Sequence, residues 1–307
     1  MLQNVDLAVI GHLSIDRILL PSRTAPFTVL GGSPTYTSLA ARRLGATASV
    51  ISKVGGNFPE AYLWWLRQEG IDLSGVVRKA EEPTTSFELS YSKDLSERTL
   101  ILKSKGAPIE LADLPADLNA KAIHVAPIAN EVSFEVIEHL KRRADVLSLD
   151  PQGLLRSFDE AGNVTENASV DKRIFSCINI YKSAQKEIFA LTGTSELKAA
   201  IEAVHDMGVA TVIVTMGAKG SVLSVGGAQY NIAACPSQVL VDPTGAGDVF
   251  IGGFLTEYLR QKESLWCACV GSAAASLVVE GIGPTYLGKK EEIYLRAKVL
   301  HEKELKQ

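Results

Sequence analysis

Neither a block of lysine and arginine nor a long apolar run occurs anywhere in the 307 residues. The missing basic block, with a formal net charge of −4 and a pI near 5.8, argues against nucleic acid or an anionic membrane as partner. No stretch of roughly 18 apolar residues exists to span a membrane. The N-terminus, Met1-Leu-Gln-Asn-Val-Asp6, lacks the basic-then-apolar order of a secretory leader. The only cysteines are Cys177, Cys235, Cys267 and Cys269, and none has paired metal-site spacing. They read as free buried thiols, which suits a reducing cytoplasm. Internal repeats, low-complexity segments and long linkers are missing too. Against these absences, 46% of the residues are hydrophobic, enough for one large α/β core or two smaller ones.

Apolar runs at 7–10, 48–54, 122–126, 145–149, 177–181 and 211–215 predict strands. Helical spacing predicts helices near 34–44, 59–68, 131–142, 183–192, 195–208, 246–261, 264–279 and 289–303. Ser33 is expected to cap the first of these, with Pro34 at its first position. The alternation implies a mostly parallel sheet with helices on both faces, where ligands sit at the carboxyl ends of strands. Asp16, Asp150 and Asp242 are all expected there. Residues 85–91 break the pattern, alternating Phe87, Leu89 and Tyr91 with Ser86, Glu88 and Ser90. With 98–105 and the polar turn 92–97 they predict a hairpin in a small antiparallel sheet set apart from the main one, joined by the irregular segment 21–30. A second, local hairpin is expected over 221–224 and 229–233.

The stretch Val239-Leu-Val-Asp-Pro-Thr-Gly-Ala-Gly-Asp-Val-Phe250 concentrates the chemistry. It reads as the end of a buried strand, a glycine turn and the start of a helix. Free backbone N–H groups and the positive end of the helix dipole make such a junction an anion site. The amides of Gly245, Ala246 and Gly247 are placed to hold phosphate oxygens, and Asp248 to accept a hydroxyl proton. The same residues also suit an ordinary tight strand-to-helix turn. The missing Gly-x4-Gly-Lys-Ser/Thr argues against a P-loop, and Phe250 in place of a third glycine, late in the chain, argues against a dinucleotide fingerprint.

Asp242-Pro-Thr-Gly-Ala-Gly-Asp248 resembles the signature of the ribokinase-like (PfkB) carbohydrate and nucleoside kinases. Gly31-Gly32 before an alanine-rich helix, Lys53-Val-Gly-Gly-Asn-Phe58 and Val214-Thr-Met-Gly-Ala-Lys-Gly-Ser221 are similar to further family segments, so the resemblance covers essentially the whole chain. It implies a single α/β domain with a β lid formed by about 17–30 and 83–106. It also implies ATP and Mg²⁺, with Asp248 as base and 245–247 as anion hole. By matching position, Asp16 and Gly31-Gly32 contact the acceptor, Thr215, Gly217 and Gly220 line the nucleotide site, and Glu187 organises Mg²⁺. Two positions depart from the pattern. Ala184 stands where the family usually has Asn, and Tyr36 replaces a second Asn near the acceptor, which disfavours ribose.

Asp150, Gln152 and Arg156 in Leu149-Asp-Pro-Gln-Gly-Leu-Leu-Arg156 offer groups suited to a polyhydroxylated ligand, or else form a turn with a capping Asp and a surface Arg. Together with Gly31-Gly-x-Pro-x-Tyr36 this segment resembles an archaeal branch that includes inositol kinases. The expected substrate is a small polyol or sugar, myo-inositol first, with a nucleoside as the alternative and a non-catalytic sensor as a third reading. Lys219 is expected either to reach a nucleotide phosphate or to be a solvated turn residue. His12 and His124 are expected to be structural, and the exposed face of the lid to pair two copies of the chain.

Overall fold

The computed structural model describes residues 5–95, 97–166 and 169–306. Two expectations touch residues outside that set, the leader-free N-terminus through residues 1–4 and the turn 92–97 through Ser96. The strands are β1 (Val5–Ile10), β2 (Ser14–Leu19), β3 (Phe27–Gly31), β4 (Ala48–Gly55), β5 (Ile71–Lys79), β6 (Ser86–Tyr91), β7 (Arg98–Ser104) and β8 (Ala120–Val125). They continue with β9 (Ala144–Leu149), β10 (Arg156–Phe158), β11 (Val164–Glu166), β12 (Ile180–Ala184), β13 (Thr211–Thr215), β14 (Ser221–Val225) and β15 (Ala228–Ile232). The helices are α1 (Ser33–Arg43), α2 (Glu60–Gln68), α3 (Phe134–Leu140), α4 (Gln185–Thr192), α5 (Leu197–Asp206), α6 (Ala246–Leu259), α7 (Ser264–Val278) and α8 (Lys290–Glu304).

A nine-stranded sheet runs β15-β14-β13-β12-β9-β8-β1-β4-β5. From β13 to β5 every pairing is parallel, and the β13-β14-β15 end is antiparallel. Both faces are covered, which is why its strands are near-continuous apolar runs. In β1, Leu7 and Val9 enter the core packed by α1, α6 and α7, while Ala8 and Ile10 enter the one packed by α3, α4 and α5. The period of two sends alternate residues to opposite layers. Helices α1 and α6 approach closely because residue 252 is glycine; a Cβ there would stand 2.5 Å from the Thr37 carbonyl oxygen. That contact sets the start of α6 beside Tyr36.

A separate four-stranded sheet runs β3-β2-β6-β7. The hairpin β6–β7 and the pair β2–β3 are antiparallel, and β2 meets β6 in parallel. Its own apolar cluster contains Ile18, Leu20, Phe87 and Leu89. Among the described residues no helix is long and apolar enough to cross a membrane.

Several local expectations are corrected. Residues 239–241 form no strand: Val239 and Leu240 are 53% and 46% exposed, and the amides of Val241 and Asp242 hang on the Val279 carbonyl at the end of α7. Three apolar residues with no neighbouring ladder cannot make sheet. Strands β2 and β5 were not anticipated, and β12 begins at Ile180 because Lys172–Cys177 coils into a 3₁₀ turn. Ser33 caps nothing, since Gly32 is the α1 N-cap and no side chain closes it. Asp16 lies inside β2 of the small sheet rather than at the end of a main-sheet strand, and Asp242 follows no strand. The four cysteines are free. Burial pushes the Cys267 and Cys269 thiols up to about 12, which keeps them protonated.

Candidate active site

Gly245 is the N-cap of α6, with φ +77° in the left-handed region that favours glycine. A Cβ there would also stand 2.2 Å from the Tyr36 ring, so glycine is required twice over. The turn before it is braced by Asp242. One of its carboxylate oxygens accepts from the Thr244 amide at 2.9 Å and hydroxyl at 2.6 Å, the other from the Gly283 amide at 3.1 Å. Tyr91 on the small sheet meets the Thr244 hydroxyl at 2.7 Å. Ala246, Gly247 and Asp248 form the first turn of α6, where amide groups lack helical acceptors, and the Ala246 amide donates to the Pro243 carbonyl of the preceding turn at 3.3 Å. Thr37 fastens this turn to α1 by donating to the Asp248 carbonyl at 3.1 Å.

The Asp248 side chain is half-buried, and its Oδ1 has no hydrogen-bond partner. Burial raises its pKa, with Asp150 adding to the rise and Lys182, Ser33 and Arg98 opposing it. A carboxylate tuned upward accepts a proton better near neutral pH.

Lys182 stands on the other side of this turn, and the sequence reading passed it over. It is the fully buried cation of β12, 2.5 Å from Asp150 Oδ2, with side chains only 6% and 1% exposed. A Cβ on Gly247 would lie 2.7 Å from its Nζ, so the ammonium is packed against the 245–247 turn. Burial works against its charge, yet Asp150, Asp248 and Glu187 hold its pKa above the ordinary value. The signal was available: a lysine in an otherwise apolar parallel strand calls for a partner. Beside the pair, His124 is buried, and burial lowers its pKa to about 4, so the ring is neutral. It meets the Ser148 hydroxyl at 3.0 Å and stays structural in that respect, as does His12.

The proposed acceptor residues gather around the same turn. Asp16 is 6% exposed; burial raises its pKa to about 6, against the pull of Ser14, the Phe87 backbone, Arg98 and Arg156. Its carboxylate lies so close to Gly31 that a Cβ there would be 1.9 Å from Oδ2. Gly32 passes equally close to the His12 carbonyl, at 2.2 Å for a Cβ. The Tyr36 hydroxyl is buried and partnerless. Burial and the charges of Asp242, Asp16 and Asp248 push its pKa well above the usual value, leaving a neutral phenol with a proton to donate. Asp150 accepts from the Gln152 amide N–H at 3.1 Å as well as from Lys182. Gln152 and Arg156 are bonded to each other at 2.8 Å, so Arg156 is no surface arginine.

The proposed donor residues are looser. Thr215 ends β13 and donates to the Ser183 carbonyl at 3.3 Å, while Gly217 and Lys219 are exposed. Gly220 has φ +90°, and a Cβ would strike the Ile232 carbonyl at 2.1 Å. Glu187, at the first turn of α4, accepts the Ala184 amide at 2.6 Å, so backbone occupies one oxygen next to the missing Asn. Burial raises its pKa, Asp150 adds to this and Lys182 opposes it. Among the described residues no three His, Cys, Asp or Glu side chains converge as a metal cage.

Acidic and cationic groups gathered at the carboxyl ends of a doubly covered parallel sheet, beside a glycine-lined helix start, define a phosphotransferase acting on small hydroxyl compounds. Residues 5–290 match the model of the pfkB family carbohydrate kinases, and the chain belongs to that family. A cytidine kinase from Thermococcus kodakarensis is 29% identical over 91% of this chain and 98% of its own. An inositol 3-kinase from Oryza sativa subsp. japonica is 30% identical over 93% of this chain and 71% of its own. A sulfate complex of a pyrophosphate-dependent kinase in the ribokinase family superposes with a TM-score of 0.81, at 24% identity over 94% of this chain and 99% of that one. The protein is a kinase of the sugar and nucleoside class, with an alcohol group as acceptor.

Proposed function

We propose that the protein transfers the γ-phosphoryl group of ATP to a hydroxyl of a small neutral polyol or sugar, with myo-inositol first among them. The observation that carries this reading is the partnerless Asp248 carboxylate oxygen at the start of α6, beside the buried Lys182 ammonium. Asp248 takes the proton of the attacking hydroxyl. The amides of 245–247 and the Lys182 ammonium neutralise the charge that builds on the transferring group. Asp16, Gly31-Gly32, Tyr36, Asp150, Gln152 and Arg156 hold the acceptor's other hydroxyls, and an array of acids and donors suits a polyol. Thr215, Gly217, Lys219 and Gly220 take the donor. Glu187 would act on a Mg²⁺ ion through its water shell, a role a single carboxylate fits because that ion gives up its waters reluctantly. The ion supplies charge neutralisation on the donor phosphates.

The small sheet acts as a lid, over about 17–30 and 83–106, on a single domain. Its outer face pairs two copies, and the protein works in the cytoplasm. A nucleoside acceptor is the second reading, favoured by the nearly full-length similarity to the cytidine kinase. Product formation with ATP or pyrophosphate against myo-inositol, ribose, fructose, cytidine and adenosine tests this. Turnover restricted to nucleosides would remove the polyol reading, and restriction to pyrophosphate would remove ATP.

A further inference from the structure

Strand β6 points Phe87, Leu89 and Tyr91 to one side, and the first two fill the apolar cluster of the small sheet. Tyr91, the last of the row, reaches past that cluster to the Thr244 hydroxyl at 2.7 Å. Which oxygen donates is settled by Thr244, which has a single hydroxyl proton. It gives that proton to the Asp242 carboxylate at 2.6 Å, since a carboxylate only accepts. Tyr91 therefore donates, and Thr244 accepts. Burial raises the tyrosine pKa, so the proton is in place to be given. A second contact from the small sheet arrives on the same brace. Asp242 Oδ2 accepts the Gly283 amide at 3.1 Å, and a Cβ on Gly283 would stand 3.2 Å from Val29 of β3.

The start of β6 is held elsewhere, because His12 bonds Thr85 at 2.7 Å. A strand of six residues puts its far end about 17 Å away, beyond the reach of that bond. Tyr91 supplies the hold at the far end, and the residue it grips stands immediately before Gly245, the N-cap of α6. We propose that Tyr91 is a positioning residue for phosphoryl transfer: reaching from the small sheet, its hydroxyl fixes the Thr244–Asp242 brace and with it the 245–247 turn. In this role the tyrosine touches neither donor nor acceptor; it sets where the amides of the turn point. The effect on rate rests on the proposed reading of 245–247 as the turn that holds the transferring group, whereas the bracing of the turn does not.

The test pairs steady-state kinetics with amide exchange, both on the full chain. Kinetics use ATP and whichever of myo-inositol, ribose, fructose, cytidine or adenosine is turned over. Tyr91→Phe keeps the ring in its cluster and removes only the donor. It should lower kcat roughly fivefold, the worth of one net hydrogen bond, and leave the acceptor KM within about twofold. Thr244→Ser, which keeps the hydroxyl, should match wild type. In a Thr244→Val background, where the acceptor is gone, Tyr91→Phe should change kcat by less than about twofold. An unchanged kcat in Tyr91→Phe, or the same loss in the Thr244→Val background, overturns the role. The Thr244 and Ala246 amides are hydrogen-bonded inside the turn, to Asp242 and the Pro243 carbonyl, and report on it without turnover. Their exchange, followed by NMR, should quicken severalfold in Tyr91→Phe while the amides of β1 and β8 hold. Unchanged exchange at these two amides, or a rise shared by β1 and β8, overturns the brace. Where wild type shows no transfer to any acceptor, the kinase reading fails on its own, and exchange still decides the brace.

Discussion

The two halves of the cleft are built differently. On the proposed acceptor side, Asp16, Tyr36, Asp150, Gln152 and Arg156 are buried or half-buried, and Asp150, Gln152 and Arg156 are tied to one another, to Ser33 and to Lys182. On the proposed donor side, Gly217 and Lys219 are exposed and Thr215 is half-buried, with Gly220 the buried member. Preformed groups cost little to organise when a ligand arrives, whereas exposed ones contribute only what the ligand itself orders. If the proposed assignment holds, the acceptor side carries the selectivity and the donor side general affinity.

The sharpest way to break this contrast is at its boundary. Asp248→Asn should lower kcat by roughly 10²–10⁴-fold while donor binding, followed by calorimetry, stays intact. Equal turnover would remove Asp248 as base. Next, Lys182→Met leaves Asp150 buried without its cation. Breaking such a pair costs about 3–5 kcal/mol, so the melting temperature should fall together with kcat. A variant that melts like wild type would show that Asp150 finds another partner.

Asp16→Asn separates stability from binding. The folded pKa of about 6, above the ordinary 3.8, means that the native state prefers the protonated acid. Its favourable contribution is complete below about pH 4 and is lost as pH rises through 6, a penalty of roughly 3 kcal/mol. Asp16→Asn should therefore melt higher than wild type at pH 8, with the gap closing toward pH 4. Its acceptor KM should rise roughly ten- to hundredfold. A lower melting temperature at pH 8 would contradict the burial argument. The smallest effect belongs to the donor side. Lys219→Ala should raise donor KM only severalfold, since an exposed ion pair is worth about 1 kcal/mol or less. A matching rise in acceptor KM would dissolve the distinction between the halves.

Legibility in the sequence divides along physical lines. Strands β1, β4, β8, β9 and β13 are covered on both faces and announce themselves as apolar runs, and α6 as a helix behind a glycine turn. Strand β2 hid because Asp16 and Arg17 interrupt it, and β5 because it is the sheet edge with a glycine inside. Residues 239–241 misled in the opposite direction, having strand composition without a partner. Ser33 was legible only as a cap, since its bond to Gln152 joins residues 119 positions apart. Lys182 was legible as a lone charge in a buried strand, but its partner Asp150 lies 32 positions away and leaves no local pattern.

His12 carries one more consequence. The chain crosses between the main core and the small sheet four times, near residues 11–14, 31–32, 84–85 and 104–107. His12 lies in the first crossing, packs its carbonyl against Gly32 in the second, and bonds Thr85 at 2.7 Å and Ala107 at 3.0 Å in the other two. Its amide is pinned in turn by the buried Glu131 at 2.8 Å. All four connections meet at one buried residue, a peg to which the small sheet is tied. One buried imidazole thus gives Asp16, Tyr91 and Arg98, all on the small sheet, a common point of attachment to the rest of the molecule.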